Sequence, residues 1–245
     1  DASFHPIIRD DLCCYKSSSK VIDLAKKYSS DLHVLHLTTE KEIGLFENID
    51  LKNKKITCEV CVHHLWFDES DYEKLGNFIV CNPAIKKVSD RNALRKALKD
   101  GFIDYVATDH APHSYEDKKL PYGKAPAGIP LIEHSFHMMI ELHKQGYYSL
   151  EEVISYMSHK VADRFSIKDR GYIREGYKAD LMMFDLEKTT PVTNETEKTK
   201  CGWTPFDGHT FSSTVLGTII NGKPIVVDGK LTRDSSSAEQ ILFDR

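Results

Sequence analysis

The chain has 245 residues, of which 40% are hydrophobic and 29% are charged, and its formal net charge is -4. This balance is typical of a globular protein with a hydrophobic core, and it excludes collagen-like and wholly disordered chains. The sequence has no run of about 18 apolar residues that could span a membrane. Its small negative charge argues against binding nucleic acid by charge alone.

The first two-thirds of the chain alternates strand-like and helix-like patterns. In chain order these patterns predict a helix at 15–28, a strand at 32–38, a helix at 40–47, strands at 56–62 and 78–81, a helix at 89–99 and a strand at 104–108. A loop rich in Pro, Gly and charge follows at 109–128, and Pro130 suits the first position of another helix. Ser149-x-x-Glu152 is a capping box that begins a further helix. Such alternation predicts a parallel sheet with helices outside it.

The last third of the chain is rich in strand-forming residues. The apolar run at 179–186 predicts one strand, and 217–230 predicts a hairpin. Asn221-Gly222 is a strong hairpin-turn signal and Asp228-Gly229 is a weaker one. Between them and the first run, 187–200 is polar and Thr-rich, which predicts a loop. We interpret this part as a small β module.

The chain has six cysteines, too few for a disulfide scaffold. Cys58, Cys61 and Cys81 lie in or near apolar, strand-like runs, which favours reduced, buried thiols in a cytoplasmic protein. Cys58 and Cys61 are three positions apart on a predicted strand, so their side chains point to opposite faces and cannot chelate one ion. No second Cys pair of this kind occurs, so we do not expect structural zinc here.

Three motifs with polar side chains each follow a predicted strand. They are HVLHLTT at 33–39, Asn82-Pro83 and ATDHAPH at 107–113. In a barrel of parallel strands the carboxyl ends of the strands form the active face. A neutral imidazole and a carboxylate are natural zinc ligands there, and a metal-activated water needs a base beside it. His36, nearer the strand end than His33, and Asp109 are therefore the candidate ligands.

Each of these residues also has a structural interpretation. His33 and His36 lie three apart on a strand and face opposite sides, so at most one of them can look into a barrel. His63-His64 is either a ligand pair or part of a wall or loop. Asp109 could begin a turn capped by its own side chain.

Taken together, the motifs resemble those of the amidohydrolase superfamily and, within it, the dihydroorotases. The resemblance runs over essentially the whole chain and includes HPIIRDD, HVLHLTT, EVCVHHL, CNPAIK, ATDHAPH, APAGIPLIEHS, SHKVADRF, GYIREGYKADLMMFD and KCGWTPFDGHTF. ATDHAPH with the following APAG loop is the most specific part. The resemblance implies a (β/α)8 TIM-type barrel of the α/β class with a small β-sandwich module, and one or two zinc ions as cofactor.

The resemblance also implies a role for each motif residue. His36 looks like a ligand of the more exposed zinc, and Asp109 looks like both a zinc ligand and the proton shuttle. The residues that would contact the substrate are Asn82, His113, Ala127 and Gly128. His63 and His64 have no ligand role in this pattern, which returns them to structure.

The sequence departs from the family pattern at the metal site. No His-x-His pair occurs in it, and the family also needs a bridging Asp or carboxylated Lys and a fifth-strand His. The arginine that follows the first-strand pair and grips the substrate carboxylate is missing with it. The chain begins Asp-Ala-Ser-Phe-His without an initiator Met. We therefore expect the C-terminal portion of a longer protein, with 1–175 belonging to the barrel and 176–245 to the β module. The N-terminal remainder of the barrel would be its partner.

The activity implied for the intact molecule is reversible cyclisation of N-carbamoyl-L-aspartate to dihydroorotate in pyrimidine biosynthesis. Two alternatives stay open. One is another cyclic-amide hydrolase, of the allantoinase or dihydropyrimidinase type. The other is a non-catalytic homologue that acts as a structural subunit, for example bound to aspartate transcarbamoylase. A homodimer, no nucleic-acid or membrane partner, and a cytoplasmic location complete the expectation.

Overall fold

A parallel sheet of three strands organises the first part of the computed structural model, which describes residues 1–232 and 238–244. The strands are β1 (Leu32–Val34), β2 (Ile56–Cys61) and β3 (Tyr105–Ala107), in that order across the sheet. Leu32 lies opposite Ile56, and Glu59 lies opposite Tyr105. β2 is the middle strand and is buried over nearly its whole length, as a strand covered on both faces must be.

Helices of very different length connect and follow these strands. They are α1 (His5–Ile8), α2 (Asp11–Tyr28), α3 (Glu40–Ile43), α4 (Val62–Trp66), α5 (Tyr72–Leu75), α6 (Val88–Asp100), α7 (Tyr115–Lys118), α8 (Ser135–Lys144), α9 (Leu150–Ile154) and α10 (Lys160–Phe165). Single 3-10 turns lie at Ala2–Phe4, Leu51–Asn53, Glu69–Asp71 and Gly76–Ile79, and a π-helical turn at Ser155–His159 joins α9 to α10. Ser149 and Glu152 form the expected capping box at the start of α9. The alternation of strand and helix that the sequence predicts is thus confirmed.

Three local predictions hold only in part, because the strand expected at 32–38 ends at Val34, the helix expected at 40–47 ends at Ile43, and the loop expected at 187–200 contains a two-residue strand, Thr190–Pro191. Two others are wrong. The run at 78–81 is not a strand, because Gly76–Ile79 forms a 3-10 turn. The carbonyl of Val80 accepts a hydrogen bond from the N–H of Gly128, which lies in a loop and not in a neighbouring strand. The helix expected to begin at Pro130 begins at Ser135. Nδ1 of His110 accepts the N–H groups of Leu131 and Ile132, at 3.1 and 3.2 Å, and this holds the intervening residues in a turn.

The strands of the last third form antiparallel pairs. β4 (Leu181–Asp185), β7 (Thr214–Ile220), β8 (Lys223–Val227) and β9 (Lys230–Leu231) make one sheet in that order, and β5 (Thr190–Pro191) pairs with β6 (Thr210–Phe211). Asn221 and Gly222 have φ of 50° and 79°, and Asp228 and Gly229 have φ of 48° and 71°. Positive φ at both central residues is what a tight hairpin turn requires, so both predicted turns are confirmed.

Contacts divide the chain into two compact units, Asp1–Met139 with Val192–His209, and Ile140–Pro191 with Thr210–Arg245. By sequence, the chain is instead expected to divide into barrel (1–175) and β module (176–245). That division refers to the fold of the complete protein and stays a prediction. All six cysteines are free thiols, and Cys58, Cys61 and Cys81 are buried, as expected. Among the described residues, no helix is both long and apolar enough to cross a lipid bilayer.

Candidate metal and substrate site

His36 lies two residues beyond the end of β1 in a left-handed backbone conformation, with φ of 42°. The residues that follow it fix this turn. The N–H of Leu37 donates to the carbonyl of Glu59 at 2.8 Å, and the hydroxyl of Thr38 donates to the carbonyl of Ala84 at 3.0 Å. Left-handed backbone is rare for a residue with a Cβ and costs about 1–3 kcal/mol, and it clusters at functional sites. The imidazole of His36 is half-buried.

Asp109 repeats this arrangement two residues beyond β3, with φ of 43°. Its carboxylate is exposed. The backbone beside it is anchored, because the N–H of Ala111 donates to the carbonyl of Ile129 at 3.2 Å and the ring of His110 caps the turn at Leu131. His110 therefore has a structural role, whereas the side chain of Asp109 makes no hydrogen bond to any of the residues described.

His36 and Asp109 lie at the same edge of the sheet, on either side of β2. Strands are spaced about 4.8 Å apart, so the ends of β1 and β3 are about 10 Å apart. Both side chains act electrostatically on the junction of β2 and α4. Burial, with Glu59 and Asp109 adding to it, raises the pKa of the Cys61 thiol well above its usual value. Burial, with His36 adding to it, lowers the pKa of His63 to about 3.

The donor chemistry of this pair fits zinc. One imidazole nitrogen and one carboxylate are ligands that zinc takes in catalytic sites. The ring nitrogens of His36, like the oxygens of Asp109, are engaged in no hydrogen bond within the described part of the chain, so both side chains are available to a metal. Two donors are fewer than the three protein ligands of a catalytic zinc, so further donors are needed to complete the site.

Asn82 lies on a cleft that His36 shares. The cleft is lined by Arg9, Leu35, His36, Asn82 and Pro83 together with residues of α2. His5 fixes the backbone beside Asn82, because its Nε2 donates to the carbonyl of Cys81 at 2.8 Å while its Nδ1 is 3.0 Å from the hydroxyl of Tyr122. Arg9 brings a cation to the cleft, and the sequence reasoning did not single it out.

His113, Ala127 and Gly128 form a second group. Nε2 of His113 donates to the carbonyl of Ala127 at 3.0 Å. Gly128 has φ of 144°, and a Cβ there would lie 2.4 Å from the carbonyl oxygen of Ala111 and 3.0 Å from Cδ2 of His113. Only glycine fits this position. The indole N–H of Trp203 donates to the carbonyl of His113 at 2.7 Å, which fixes the backbone that carries the imidazole.

Lys118 connects the segments around Val80 and Gly128, although nothing in its sequence context singles it out. Its side chain is fully buried, and its Nζ donates to the carbonyls of Val80, Pro126 and Gly128 at 3.3, 3.0 and 3.0 Å. Burial lowers the pKa of Lys118 to about 8. Its sequence context, YEDKKL in a charged loop, is that of a solvated lysine. Only the fold shows that its ammonium group crosslinks the 80–82 and 126–128 segments.

Comparison with known proteins identifies the family. The sequence profile of the amidohydrolase family matches residues 18–225. The chain belongs to the amidohydrolase family. It is 32% identical over 208 residues to a dihydroorotase of Lactobacillus acidophilus, covering 84% of this chain and 49% of that protein. It is 35% identical over 204 residues to a dihydroorotase of Ligilactobacillus salivarius, covering 82% and 47%. The chain thus spans about half the length of the curated relatives it matches.

Solved structures show the same fold. A dihydropyrimidinase from Brevibacillus agri matches with a TM-score of 0.86 at 23% identity, over 94% of this chain and 52% of that one. An L-hydantoinase from Arthrobacter aurescens matches with a TM-score of 0.81 at 25% identity, over 89% and 49%. The TIM-barrel amidohydrolase fold expected from the sequence is confirmed.

The amidohydrolase chain therefore assembles its motif residues in three places along one edge. His36 and Asn82 share a cleft, His113 hydrogen-bonds to the loop of Ala127 and Gly128, and Asp109 lies exposed between the end of β3 and that loop. The roles assigned to these residues remain predictions.

Proposed function

We propose that this amidohydrolase chain takes part in dihydroorotase chemistry, the reversible cyclisation of N-carbamoyl-L-aspartate to dihydroorotate with loss of water. The observation that carries the proposal is the paired left-handed backbone at His36 and Asp109, at the ends of two parallel strands that flank a third. It presents an imidazole and a carboxylate to one region. The relatives named dihydroorotase support the choice of substrate.

One or two zinc ions held by His36 and Asp109, with further donors from the N-terminal remainder of the barrel, would supply a Lewis acid and lower the pKa of a water molecule. In ring opening, the free oxygen of Asp109 accepts the proton of the attacking water and delivers it to the leaving amide nitrogen. In ring closure, the same carboxylate takes the proton from the carbamoyl nitrogen and returns it to the departing water. The exposure of Asp109 suits this transfer.

Other residues position the substrate. Asn82, His113 and the backbone of Ala127 supply hydrogen-bonding groups for the ring and its carboxylate, and Gly128, whose N–H and carbonyl bond to Val80 and Lys118, fixes the path of the loop beside them. Positioning alone can contribute several kcal/mol to a rate. Arg9 supplies positive charge to the cleft of His36 and Asn82, and both substrate and product carry a carboxylate. Lys118 acts through these residues, because it holds the loop without facing the cleft.

A second candidate is hydrolysis of another cyclic amide. The observation that favours this second candidate is the likeness to dihydropyrimidinase and hydantoinase structures, at TM-scores of 0.86 and 0.81. The experiment is a substrate panel of N-carbamoyl-L-aspartate, dihydrouracil, hydantoin and allantoin. It uses the chain alone and co-purified with the remainder of its barrel, with zinc present.

Turnover of N-carbamoyl-L-aspartate that is lost in Asp109→Asn supports the proposal. If the protein prefers dihydrouracil or hydantoin, the second candidate, hydrolysis of another cyclic amide, is favoured over dihydroorotase chemistry. No turnover of any substrate, with binding to aspartate transcarbamoylase on size-exclusion chromatography, would favour a structural subunit. The homodimer and the cytoplasmic location are predictions of the same proposal, and the chromatogram measures the first of them.

A further inference from the structure

A buried cluster of one cysteine and two histidines lies where β2 meets α4. Cys61 is the last residue of β2, and His63 and His64 lie in the first turn of α4. One donor atom from each side chain, a sulfur and two ring nitrogens, lies within 4.8 Å of the other two. The exposed fraction of each residue is 2% or less. The dihydroorotase mechanism proposed above uses none of them.

The ring nitrogens of this cluster lack hydrogen-bond partners. Counting only described residues, Nδ1 and Nε2 of His63 are both unpartnered, and so is Nδ1 of His64. Leaving one buried polar atom unsatisfied costs about 1–3 kcal/mol. Three such atoms on adjacent side chains require an explanation. A bound ion accounts for two of them, because each neutral ring offers it one lone pair.

The hydrogen bond of His64 fixes which of its nitrogens is available. Nε2 of His64 is 3.0 Å from the carbonyl oxygen of Pro83. A carbonyl only accepts, so Nε2 carries the proton and donates it. In the neutral ring Nδ1 then holds the lone pair, and it is the unpartnered nitrogen. Donation from the second ring nitrogen to a backbone carbonyl is how metal-binding histidines are usually oriented.

The distances are compatible with coordination after small side-chain rotations. In a tetrahedral zinc site, Zn–N bonds of about 2.0–2.1 Å and Zn–S bonds of about 2.3 Å place the donor atoms about 3.3–3.7 Å apart. The three donors here already lie within 4.8 Å of one another. They come from one short segment, so they stay together without help from distant parts of the chain.

We propose that Cys61, His63 and His64 bind a zinc ion at a site separate from that of His36 and Asp109. One thiolate and two imidazoles are a donor set that zinc accepts in proteins, and sulfur selects it over calcium or magnesium. On binding, the S–H bond of Cys61 breaks, an S–Zn bond forms, and the proton leaves to solvent. No electron is transferred.

The test uses Co²⁺ as a spectroscopic substitute for zinc on the 245-residue chain. Co²⁺ bound to a thiolate gives a near-ultraviolet charge-transfer band, which nitrogen and oxygen ligands alone do not. We expect this band to saturate at one Co²⁺ per chain and to disappear when Zn²⁺ is added. Cys61→Ser should abolish it.

Two control variants separate this site from the others. Cys58→Ser changes another buried thiol of the same strand, and His36→Gln removes a ligand of the proposed catalytic zinc; both should keep the band. Absence of the band from the unsubstituted chain, or its persistence in Cys61→Ser, overturns the proposal. Far-ultraviolet circular dichroism checks folding.

If Cys61→Ser does not fold, His63→Gln carries the test because it keeps the thiol. We expect its Co²⁺ affinity to fall more than tenfold, and an unchanged affinity contradicts the proposal. None of these readouts depends on enzyme activity. Failure of this site and failure of the dihydroorotase proposal are therefore distinguishable.

Discussion

The ammonium nitrogen of Lys118 lies 3.0 Å from the carbonyl oxygen of Gly128. It lies equally close to that of Pro126 and 3.3 Å from that of Val80. One buried cation with three backbone acceptors thus holds together the two segments that are proposed to contact the substrate. A lysine is rarely buried unless its charge is satisfied in this way. The contribution of these hydrogen bonds to the loop can therefore be measured as protein stability, without any ligand.

Replacing Lys118 with Met keeps the length of the side chain and removes its donors. The carbonyls of Pro126 and Gly128 then lose their ammonium partner inside the protein, whereas Val80 keeps the N–H of Gly128. We expect the free energy of unfolding to fall by about 2 kcal/mol, as measured by urea denaturation. The matched control is Lys119→Met. Lys119 is exposed, and its ammonium pairs with exposed Glu116 and lies 5.0 Å from the centre of the Tyr115 ring, so the change should stay below about 0.5 kcal/mol. Equal effects of the two substitutions would contradict the proposed role of Lys118.

Stability should also rise with pH through Lys118. Its pKa is about 8 in the folded protein and about 10.4 in an unfolded chain. Between these values the unfolded state binds more protons, so the free energy of unfolding increases as the pH increases. Relative to Lys118→Met, the unsubstituted chain should gain about 1 kcal/mol between pH 7 and pH 9. Denaturation of both proteins at the two pH values isolates this group. If the stability difference between the unsubstituted chain and Lys118→Met shrinks or stays constant from pH 7 to pH 9, the lowered pKa of Lys118 is wrong.

Gly128→Ala should be much more damaging than alanine at another glycine of the same loop. The new Cβ would lie 2.4 Å from the carbonyl oxygen of Ala111, so the 126–128 segment must move and its bond to Lys118 must lengthen. We expect a loss of at least about 2 kcal/mol of stability. Gly123 also has a positive φ, but nothing lies within 4 Å of its Cβ position. Gly123→Ala should therefore cost only about 1 kcal/mol. Thermal unfolding of the pair measures the difference.

The sequence predicts the elements whose signals are local. The hairpin turns at Asn221-Gly222 and Asp228-Gly229 and the capping box of Ser149 follow from the backbone angles or side-chain bonds of a few adjacent residues. The 78–81 run and the start of α8 fail, because their backbone groups bond to residues far along the chain. His110 redirects the turn at Leu131 from 21 positions away.

The candidate site divides in the same way. His36 and Asp109 are found because both follow apolar strands, and the left-handed backbone at each is visible only in the structure. Lys118 and Arg9 are not found, since a lone charged residue in a polar segment resembles solvated surface. The family pattern gives His63 and His64 no ligand role, and the apolar strand around Cys61 predicts only a buried thiol. The unpartnered ring nitrogens, which make this cluster a candidate metal site, are visible only in the structure.

Asp109→Asn should strongly reduce turnover in the zinc-loaded assembly while preserving the fold. The amide is the same size, but it cannot accept a proton at neutral pH. We expect kcat to fall by a factor of about 100 or more, with stability within about 0.5 kcal/mol because the side chain is exposed. Glu116→Gln, which neutralises an exposed carboxylate of the same loop, is the control and should leave kcat unchanged. Near-normal turnover of Asp109→Asn would remove Asp109 from the mechanism.

His113→Ala separates binding from chemistry. The imidazole donates to the carbonyl of Ala127 at 3.0 Å, so its proposed role is to hold the substrate together with that loop. A group that contacts substrate and transition state equally affects KM alone, whereas one that tightens in the transition state lowers kcat. We expect KM for dihydroorotate to rise roughly tenfold or more with kcat changed less than about threefold. The control is His143→Ala, which removes an imidazole whose Nδ1 bonds to the carbonyl of Tyr148. A proportional loss of kcat in His113→Ala would instead assign His113 to transition-state stabilisation.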